Sequence, residues 1–196
     1  MKIIGLTGGI GSGKTTVAKL FSKLNNNAIY IADVEAKKLM SSSEVIKRKL
    51  IEKFGEKSFL DNQLNRKFIA EIVFKDKEKL SQLNAIVHPE VRTHFQEFVK
   101  NNSNQSYIIY ENAILFESKS NFFCDIIISV YADLETKIQR VISRDSCSKK
   151  EVLSRMKNQW KDDKKLLQSN YVIYNEKVEE TEICVNKIHN ILTKNL

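Results

Sequence analysis

Apolar and polar positions along this chain follow two alternating patterns. Short, almost continuously apolar runs are typical of strands buried on both faces of a parallel sheet. Five such runs occur, at residues 2–7, 28–33, 106–115, 125–132 and 170–175. Segments with apolar residues at every third or fourth position separate most of them, and this spacing predicts amphipathic helices. The alternation indicates an α/β fold, a five-stranded parallel sheet with helices on both faces.

A long block separates the second predicted strand from the third. Its pattern is helical almost throughout, with predicted helices over residues 43–55, 65–74 and 76–100. We expect Ser43 to cap the first of these helices and Gly55 to end it. Pro89 lies inside the last helix and removes a backbone donor, so we expect a kink or a break near Val87–His88. The block is therefore predicted to be an all-helical insertion.

Two further helices come after the fourth predicted strand. Residues 134–145 have helical spacing, and Ser148 with Glu151 matches a capping box that opens a helix over 149–160. We expect this pair, about residues 137–160, to form a lid. The amphipathic segment 179–195 is predicted to close the domain as a final helix.

The first predicted strand leads directly into the sequence GGIGSGKTT, residues 8–16. Gly8, four further residues and Gly13-Lys14-Thr15 match the Walker A pattern, which holds a polyphosphate. Glycines at 8, 9, 11 and 13 let the backbone approach phosphate oxygens, and the amides of the loop and the next helix form a positive concavity. Lys14 is expected to reach the β- and γ-phosphates, and the Thr15 hydroxyl to ligate Mg²⁺.

Charge and composition leave two kinds of partner open. The net charge of +8 suits nucleic acid, and it suits a cleft for small polyanions equally. The lysines are scattered over helical segments, so we expect no nucleic-acid binding. No apolar stretch approaches the roughly 20 residues of a membrane span, and the first residues do not form a signal peptide. The cysteines, Cys124, Cys147 and Cys184, form no metal-type pair, and they suit a reducing, cytoplasmic setting.

Several polar side chains lie where a parallel sheet places its ligands, after the strands. Asp33 could accept the proton of an acceptor hydroxyl during phosphoryl transfer, or it could cap a helix beginning near Val34. Glu111 and Glu117 flank the end of the third predicted strand; the first is a candidate for the surroundings of a metal or acceptor, and the second could be a cap. His88, with Arg92 one turn later, could contact a phosphate or be structural.

Phosphoryl transfer requires positive charge near the migrating group. Lys14 supplies one such charge. The arginines of the predicted lid, Arg140, Arg144 and Arg155, would supply others if the lid closes over a nucleotide. Each could instead form a surface salt bridge.

Seven segments together identify a resemblance. They are GLTGGIGSGKTT (5–16), ADVEAKKL (32–39), LNAIVHPEVR (83–92), ILFES (114–118), QRVISRD (139–145), SRMKNQ (154–159) and YVIYN (171–175). In order and spacing they resemble the dephospho-CoA kinases over essentially the full chain. The resemblance implies a P-loop NTPase fold in which residues 1–34 and 105–196 form the nucleotide-binding core and 35–104 the helical acceptor domain.

The resemblance also implies the reaction, in which ATP with Mg²⁺ phosphorylates the 3′-hydroxyl of dephospho-CoA. Asp33 matches the family's acceptor base, and Lys14 and Arg140 are implied to act on the phosphates. The implied ATP-binding residues are Gly8, Gly9, Gly11, Ser12, Gly13, Lys14, Thr15, Thr16, Arg144 and Asn175. Those implied for the acceptor, besides Asp33, are His88, Arg92, Leu115, Phe116 and Glu117. A cytoplasmic monomer or weak homo-oligomer is expected.

The chain departs from the family pattern at two positions. Ile31 stands where the family usually has an aspartate, and Glu111 replaces an aspartate in a segment that has also lost its proline. Glu is one methylene longer than Asp, which bears on the metal geometry. Two other functions fit the loop, a different small-molecule P-loop kinase and a nucleic-acid-stimulated ATPase. The segment 83–92 argues against the first, and no clear water-positioning residue supports the second.

Overall fold

The computed structural model describes residues 1–73 and 76–194. Residues 74, 75, 195 and 196 lie outside the described residues; they include the last positions of the helices predicted over 65–74 and 179–195. The chain divides into two compact units, Met1–Ile31 with Asn102–Leu196, and Ala32–Asn101. Each unit has its own architecture.

The first unit is built on a parallel sheet. Its strands within the described ranges are β1 (Lys2–Thr7), β2 (Asn27–Ile31), β5 (Tyr107–Glu111), β6 (Ile126–Tyr131) and β7 (Tyr171–Tyr174). They lie in the order β2-β5-β1-β6-β7, and every pair is parallel. β1 is therefore central, with Leu6 opposite Glu111 on one side and Ile128 on the other. The prediction of a five-stranded parallel sheet is confirmed.

Two predicted strands were too long at their carboxyl ends. β2 stops at Ile31, because Ala32 already begins a helix, and β5 stops at Glu111. Asn112 ends β5 through its side chain, whose Oδ1 accepts a hydrogen bond from Ile114 N at 2.9 Å. Such a local side-chain bond offers the backbone a turn in place of the ladder.

The helices of this unit are α1 (Lys14–Ser22), α6 (Leu134–Asp145), α7 (Lys149–Met156), α8 (Asp162–Leu166) and α9 (Val178–Lys194). The main core joins α1 and α9 to the central strands. Phe21, Val185 and Ile188 pack there with Ile4 and Tyr107, all of them buried. Burying these side chains supplies the main free energy that holds helices to the sheet.

Helices α6 and α7, the pair predicted to form a lid and here called the lid helices, have a small core of their own. Ile138 and Val141 of α6 pack on Val152 of α7, and Ile10 of the glycine-rich loop joins the same cluster. Ser148 and Glu151 form the predicted capping box. The helix predicted over 149–160 ends at Met156, four residues early.

The second unit contains α2 (Ala32–Ser42), α3 (Glu44–Phe54), α4 (Arg66–Val73) and α5 (Lys77–Asn101). Ser43 caps α3 and Gly55 ends it, as predicted. The prediction of an all-helical block is wrong, because β3 (Phe59–Leu60) pairs antiparallel with β4 (Gln63–Leu64). The connecting Asp61 and Asn62 both have positive φ, 48° and 63°. Two such residues make the turn whose twist suits a hairpin.

Pro89 does not break the helix in which it lies. α5 runs without interruption from Lys77 to Asn101. Val87, Val91 and Phe95 are buried along one side of α5, which packs on α2, α3 and α4 of the same unit. This packing holds the two halves of the helix in line despite the missing backbone donor.

Candidate active site

The glycine-rich loop after β1 contains a tight turn. Ser12 N donates to Gly9 O at 3.1 Å, which closes a β-turn over residues 9–12. Gly11 stands at its third position with φ 81°. That position of a type II turn requires a positive φ, so glycine is favoured there. The turn reverses the chain immediately before the first helix.

Helix α1 begins without a capping side chain. Its N-cap is Gly13, with φ 90°, and the first helical residues are Lys14 and Thr15. The first N–H groups of an α-helix have no acceptor within the helix, and a polar cap residue usually takes one of them. With glycine as the cap, these donors and the positive end of the helix dipole are presented to an anion.

The carbonyl groups of the loop are held by three cationic or polar side chains. Lys14 Nζ donates to Gly9 O at 3.1 Å. Arg140 Nη1 and Asn175 Nδ2 both donate to Ser12 O, at 3.4 and 2.9 Å. Because side chains bind the carbonyl groups on one face of the loop, its N–H groups can face a phosphate on the opposite face.

Asn175 is fixed in turn by its neighbours. It is buried immediately after β7, where its Oδ1 accepts from Thr181 Oγ1 at 3.1 Å and its backbone O from Arg140 Nη2 at 2.9 Å. A Cβ atom at Gly13 would lie 1.9 Å from Asn175 Nδ2. Arg140 and Asn175, named from sequence, are therefore both at the phosphate loop.

The other lid arginines are engaged elsewhere. Arg144 Nε lies 2.7 Å from Asp145 Oδ1, and Arg155 Nη1 lies 2.7 Å from Asp145 Oδ2. The hydrogen bonds and charges of the two arginines lower the pKa of Asp145 to about 2. This trio joins the end of α6 to α7 on the surface. Arg144, predicted to bind ATP, forms in this structure the surface salt bridge that was its alternative role.

The end of β5 and the segment after it were predicted to supply further site residues. Glu111 is buried at the carboxyl end of the sheet, where it is paired in register with Leu6 and Ile31. Leu115 is fully buried and lies against Gly5, so the structure places it in the core below the sheet edge. Phe116 is also buried, and its ring stacks on Trp160 at 5.5 Å between centroids.

Glu117 does not cap the short helical turn that comes after it. Its Oε1 accepts from Trp160 N at 2.7 Å and from the buried Lys165 Nζ at 3.0 Å. Lys165 Nζ also donates to Ala113 O at 2.6 Å. The side chain that was predicted to contact the acceptor thus binds Trp160, between α7 and α8, and Lys165 of α8.

Sequence reasoning missed four residues of this region, Lys137, Gln159, Asp162 and Lys165. Gln159 Oε1 accepts from Ile10 N at 2.9 Å, and Lys137 forms an ion pair with Asp162. The only signal for Gln159 was its position in the segment SRMKNQ. The lysines had no signal, since nothing local distinguishes a buried lysine in a chain this rich in them.

Three further predicted residues belong to the second unit. Asp33 is exposed in the first turn of α2, so it neither ends a strand nor caps the helix. His88 and Arg92 are exposed one turn apart on α5. Asp33 therefore does not act as a helix cap, which was the alternative to a role as acceptor base.

The metal ligands that the loop offers suit Mg²⁺ that is bound together with a nucleotide. Thr15 is exposed at the second position of α1. Over residues 1–73 and 76–194, no group of three or more His, Cys, Asp or Glu side chains could hold a metal ion. Mg²⁺ usually keeps several waters and is held by one or two protein ligands plus phosphates, so the Thr15 hydroxyl fits that mode of binding. In the same ranges, no helix has the length and apolarity that a bilayer crossing demands.

The phosphate loop, its position between central strand and first helix, and the lid beside it define a P-loop kinase. Two solved kinases share the fold, a dephospho-CoA kinase from Campylobacter jejuni (22% identical, TM-score 0.65, 98% of each chain covered) and a shikimate kinase from Acinetobacter baumannii (16%, 0.55, 100% of this chain and 94% of that one). The crystal structure of a Thermus thermophilus protein is more similar, with 30% identity, TM-score 0.85 and 98% of each chain covered.

The particular family is shown by the sequence comparisons. The family model described as dephospho-CoA kinase matches residues 2–180. Relatives named dephospho-CoA kinase include those of Bacteroides fragilis, 36% identical over 173 residues, and Leptospira interrogans, 39% identical over 175 residues. Each match covers 88% of this chain and 84% of the relative. The chain belongs to the dephospho-CoA kinase family.

Proposed function

We propose that this protein transfers the γ-phosphoryl group of ATP to the 3′-hydroxyl of the ribose in dephospho-CoA, giving CoA and ADP. The observation that carries the proposal is the phosphate loop. Its carbonyls at Gly9 and Ser12 are bound by Lys14, Arg140 and Asn175, and its glycine N-cap leaves the N–H groups of α1 open to phosphates. Membership of the family supplies the acceptor.

The loop and lid provide charge where the reaction develops it. In phosphoryl transfer, charge spreads over the equatorial oxygens of the migrating group. Lys14 would neutralise the β- and γ-phosphates once their oxygens replace Gly9 O as its acceptor. Arg140 would hold the carbonyl side of the loop through Ser12 O, and Thr15 would ligate the Mg²⁺ that comes with ATP. The remaining loop residues, Gly8, Gly9, Gly11, Ser12, Gly13 and Thr16, would bind the phosphates.

We assign Asp33 the role of acceptor base. The bond from the γ-phosphorus to the β–γ bridging oxygen breaks, a bond to the ribose 3′-oxygen forms, and the proton of that hydroxyl passes to the Asp33 carboxylate. Asp33 is exposed and is not the N-cap of α2, so its carboxylate is not committed to holding the helix start. The second unit would be the acceptor domain, with His88 and Arg92 as contacts to the acceptor.

The test is an acceptor screen. Purified protein is incubated with ATP, Mg²⁺ and dephospho-CoA, and CoA is sought by mass spectrometry; AMP, CMP and water alone are the parallel acceptors. CoA formed with dephospho-CoA only is the expected result. ADP that accumulates without CoA would contradict the proposal and indicate a kinase for another acceptor, or an ATPase. Omission of Mg²⁺ is expected to abolish transfer. We further propose a cytoplasmic monomer or weak homo-oligomer.

A further inference from the structure

A short segment contacts both the phosphate loop and the loop after β5. Residues 159–165, here called the strap, come shortly after α7 and include the first four residues of α8. We infer that Gln159, carried by this strap, is a positioning residue that sets the conformation of the phosphate loop. The inference rests on the proposed function, since it concerns the loop that would hold ATP.

Gln159 acts on one particular peptide group, the one joining Gly9 to Ile10. The carbonyl of this group, Gly9 O, accepts from Ser12 N and Lys14 Nζ, both at 3.1 Å. Its N–H, on Ile10, donates to Gln159 Oε1 at 2.9 Å in a partly buried setting. Hydrogen bonds on opposite sides of a planar peptide group fix the plane. Loss of the Gln159 bond would leave the plane of that group held from its carbonyl side alone.

The side chain of Ile10 supports the same arrangement. It packs against the small core of α6 and α7, next to Ile138, Val141 and Val152. Ile10 is therefore tied to the lid by its side chain and to the strap by its N–H. The two contacts make the first half of the loop a part of the lid assembly.

The strap itself is anchored at both ends, so Gln159 is not on a free segment. Asp162 pairs with the buried Lys137 of α6, and a Cβ atom at Gly9 would lie 2.8 Å from Asp162 Oδ1, so this carboxylate lies against the loop. On the other side Glu117 binds Trp160 N and Lys165 Nζ. Through these contacts the strap is bound both to the loop after β5 and to the neighbourhood of the phosphate loop.

The consequence concerns the N–H groups that would face a phosphate. The Gly9–Ile10 peptide begins the turn, and its orientation determines where Gly11 N and the residues after it point. A correctly set turn binds phosphates without the entropic cost of ordering itself, and a loosened one binds more weakly. Gln159 should therefore affect ATP affinity more than affinity for the acceptor.

The experiment compares Gln159→Leu and Gln159→Glu with Gln168→Leu and Gln168→Glu. Gln168 is exposed, three residues beyond the strap, and makes a matched control. Calorimetry gives the Kd for ATP with Mg²⁺ at about 0.1 M and 1 M NaCl, and the CoA assay gives kcat and both KM values. Thermal unfolding checks that each variant folds.

We expect Gln159→Leu to weaken ATP binding by about fivefold to tenfold at both salt concentrations, the value of a lost hydrogen bond that leaves a donor unsatisfied. Its KM for dephospho-CoA should stay within about twofold of the parent value. Gln159→Glu keeps the acceptor oxygen but adds a negative charge, so its deficit should be smaller at 1 M than at 0.1 M NaCl, because salt screens part of the repulsion from the phosphates. The Gln168 variants should match the parent.

An unchanged ATP Kd in Gln159→Leu, or equal weakening of both substrates, would overturn the inference. So would a Gln159→Glu deficit that high salt does not relieve, because a damaged fold would behave in that way. The ATP titration needs no acceptor. If the parent protein binds ATP but makes no CoA, the proposed acceptor is wrong, while the Gln159 result still stands or falls by itself.

Discussion

Lys165 Nζ lies 3.0 Å from Glu117 Oε1, and the lysine side chain is 1% exposed. The pair connects the last turn of α8 to the loop after β5, and the same lysine donates to Ala113 O. A charge so deeply buried is tolerated only with a partner of opposite sign and further hydrogen bonds. Glu117 therefore binds the strap in this structure, through Trp160 N and Lys165 Nζ.

Removing the lysine should leave the Glu117 carboxylate uncompensated. We expect Lys165→Met to lower the free energy of unfolding by about 3 kcal/mol, as broken buried pairs do. Urea denaturation measures this. The exposed pair of Lys177 and Glu180, also 3.0 Å apart, supplies the control, and Lys177→Met should lower the free energy of unfolding far less than Lys165→Met does. Equal effects of the two changes would show that burial of Lys165 does not matter.

Gly13 should tolerate no side chain. Gly13→Ala places a Cβ 1.9 Å from Asn175 Nδ2 and in a φ of 90°, so we expect ATP binding to fall by about 100-fold or more. Gly55 has almost the same φ, 89°, but nothing lies within 4 Å of its added Cβ. Gly55→Ala should cost about 1 kcal/mol of stability through strain alone and leave the ATP Kd unchanged. Calorimetric titration of both variants separates the clash from the strain.

Asn175→Asp is nearly isosteric but replaces the donor to Ser12 O with an acceptor. Two acceptors would then face each other, and a negative charge would lie beside the phosphate loop. We expect the ATP Kd to rise at least about tenfold, while Asn186→Asp on the exposed side of α9 stays at the parent value. An unchanged Kd for Asn175→Asp would exclude this contact from ATP binding.

Asp33→Asn tests the acceptor base. Loss of a general base typically costs about 10²- to 10⁴-fold, so we expect kcat to fall by about 100-fold or more with the ATP Kd within about twofold. Asp33 also lies in the first turn of α2, where a negative charge favours the helix. Glu35→Gln, in the same turn, is the control for that effect. Near-normal kcat in Asp33→Asn would remove it from the base role.

Stability should depend on pH through His189. Its Nδ1 lies 2.7 Å from Tyr107 Oη, and partial burial lowers its pKa from the ordinary value of 6.5. The folded state then binds this proton less tightly than the unfolded chain, so stability falls as the pH drops through about 6.5. Urea denaturation between about pH 5.5 and 7.5 should show this slope, and His189→Gln should reduce it. Parallel curves for the two proteins would assign the slope to other groups.

Elements with local signals could be predicted from the amino-acid sequence. Each strand of the sheet was recognisable as an apolar run, and the glycine-rich loop by its spacing, because buried strands and phosphate loops restrict residue types position by position. The caps at Ser43 and Ser148 were equally local. The hairpin at residues 59–64 was missed, because its Asp61-Asn62 turn lacks the glycine that usually marks such turns.

The hydrogen bonds that hold the phosphate loop could be identified only in the folded protein, although Lys14, Arg140 and Asn175 were themselves named from the sequence. Asn175 and Gln159 reach Ser12 and Ile10 across separations of 163 and 149 residues, and no local pattern encodes such contacts. Packing likewise kept α5 continuous through Pro89. It also placed Arg140 at the phosphate loop and placed Arg144 and Arg155 beside Asp145. A local signal establishes what an element is, whereas a long-range contact depends on how elements pack, and that depends on the burial of the whole core.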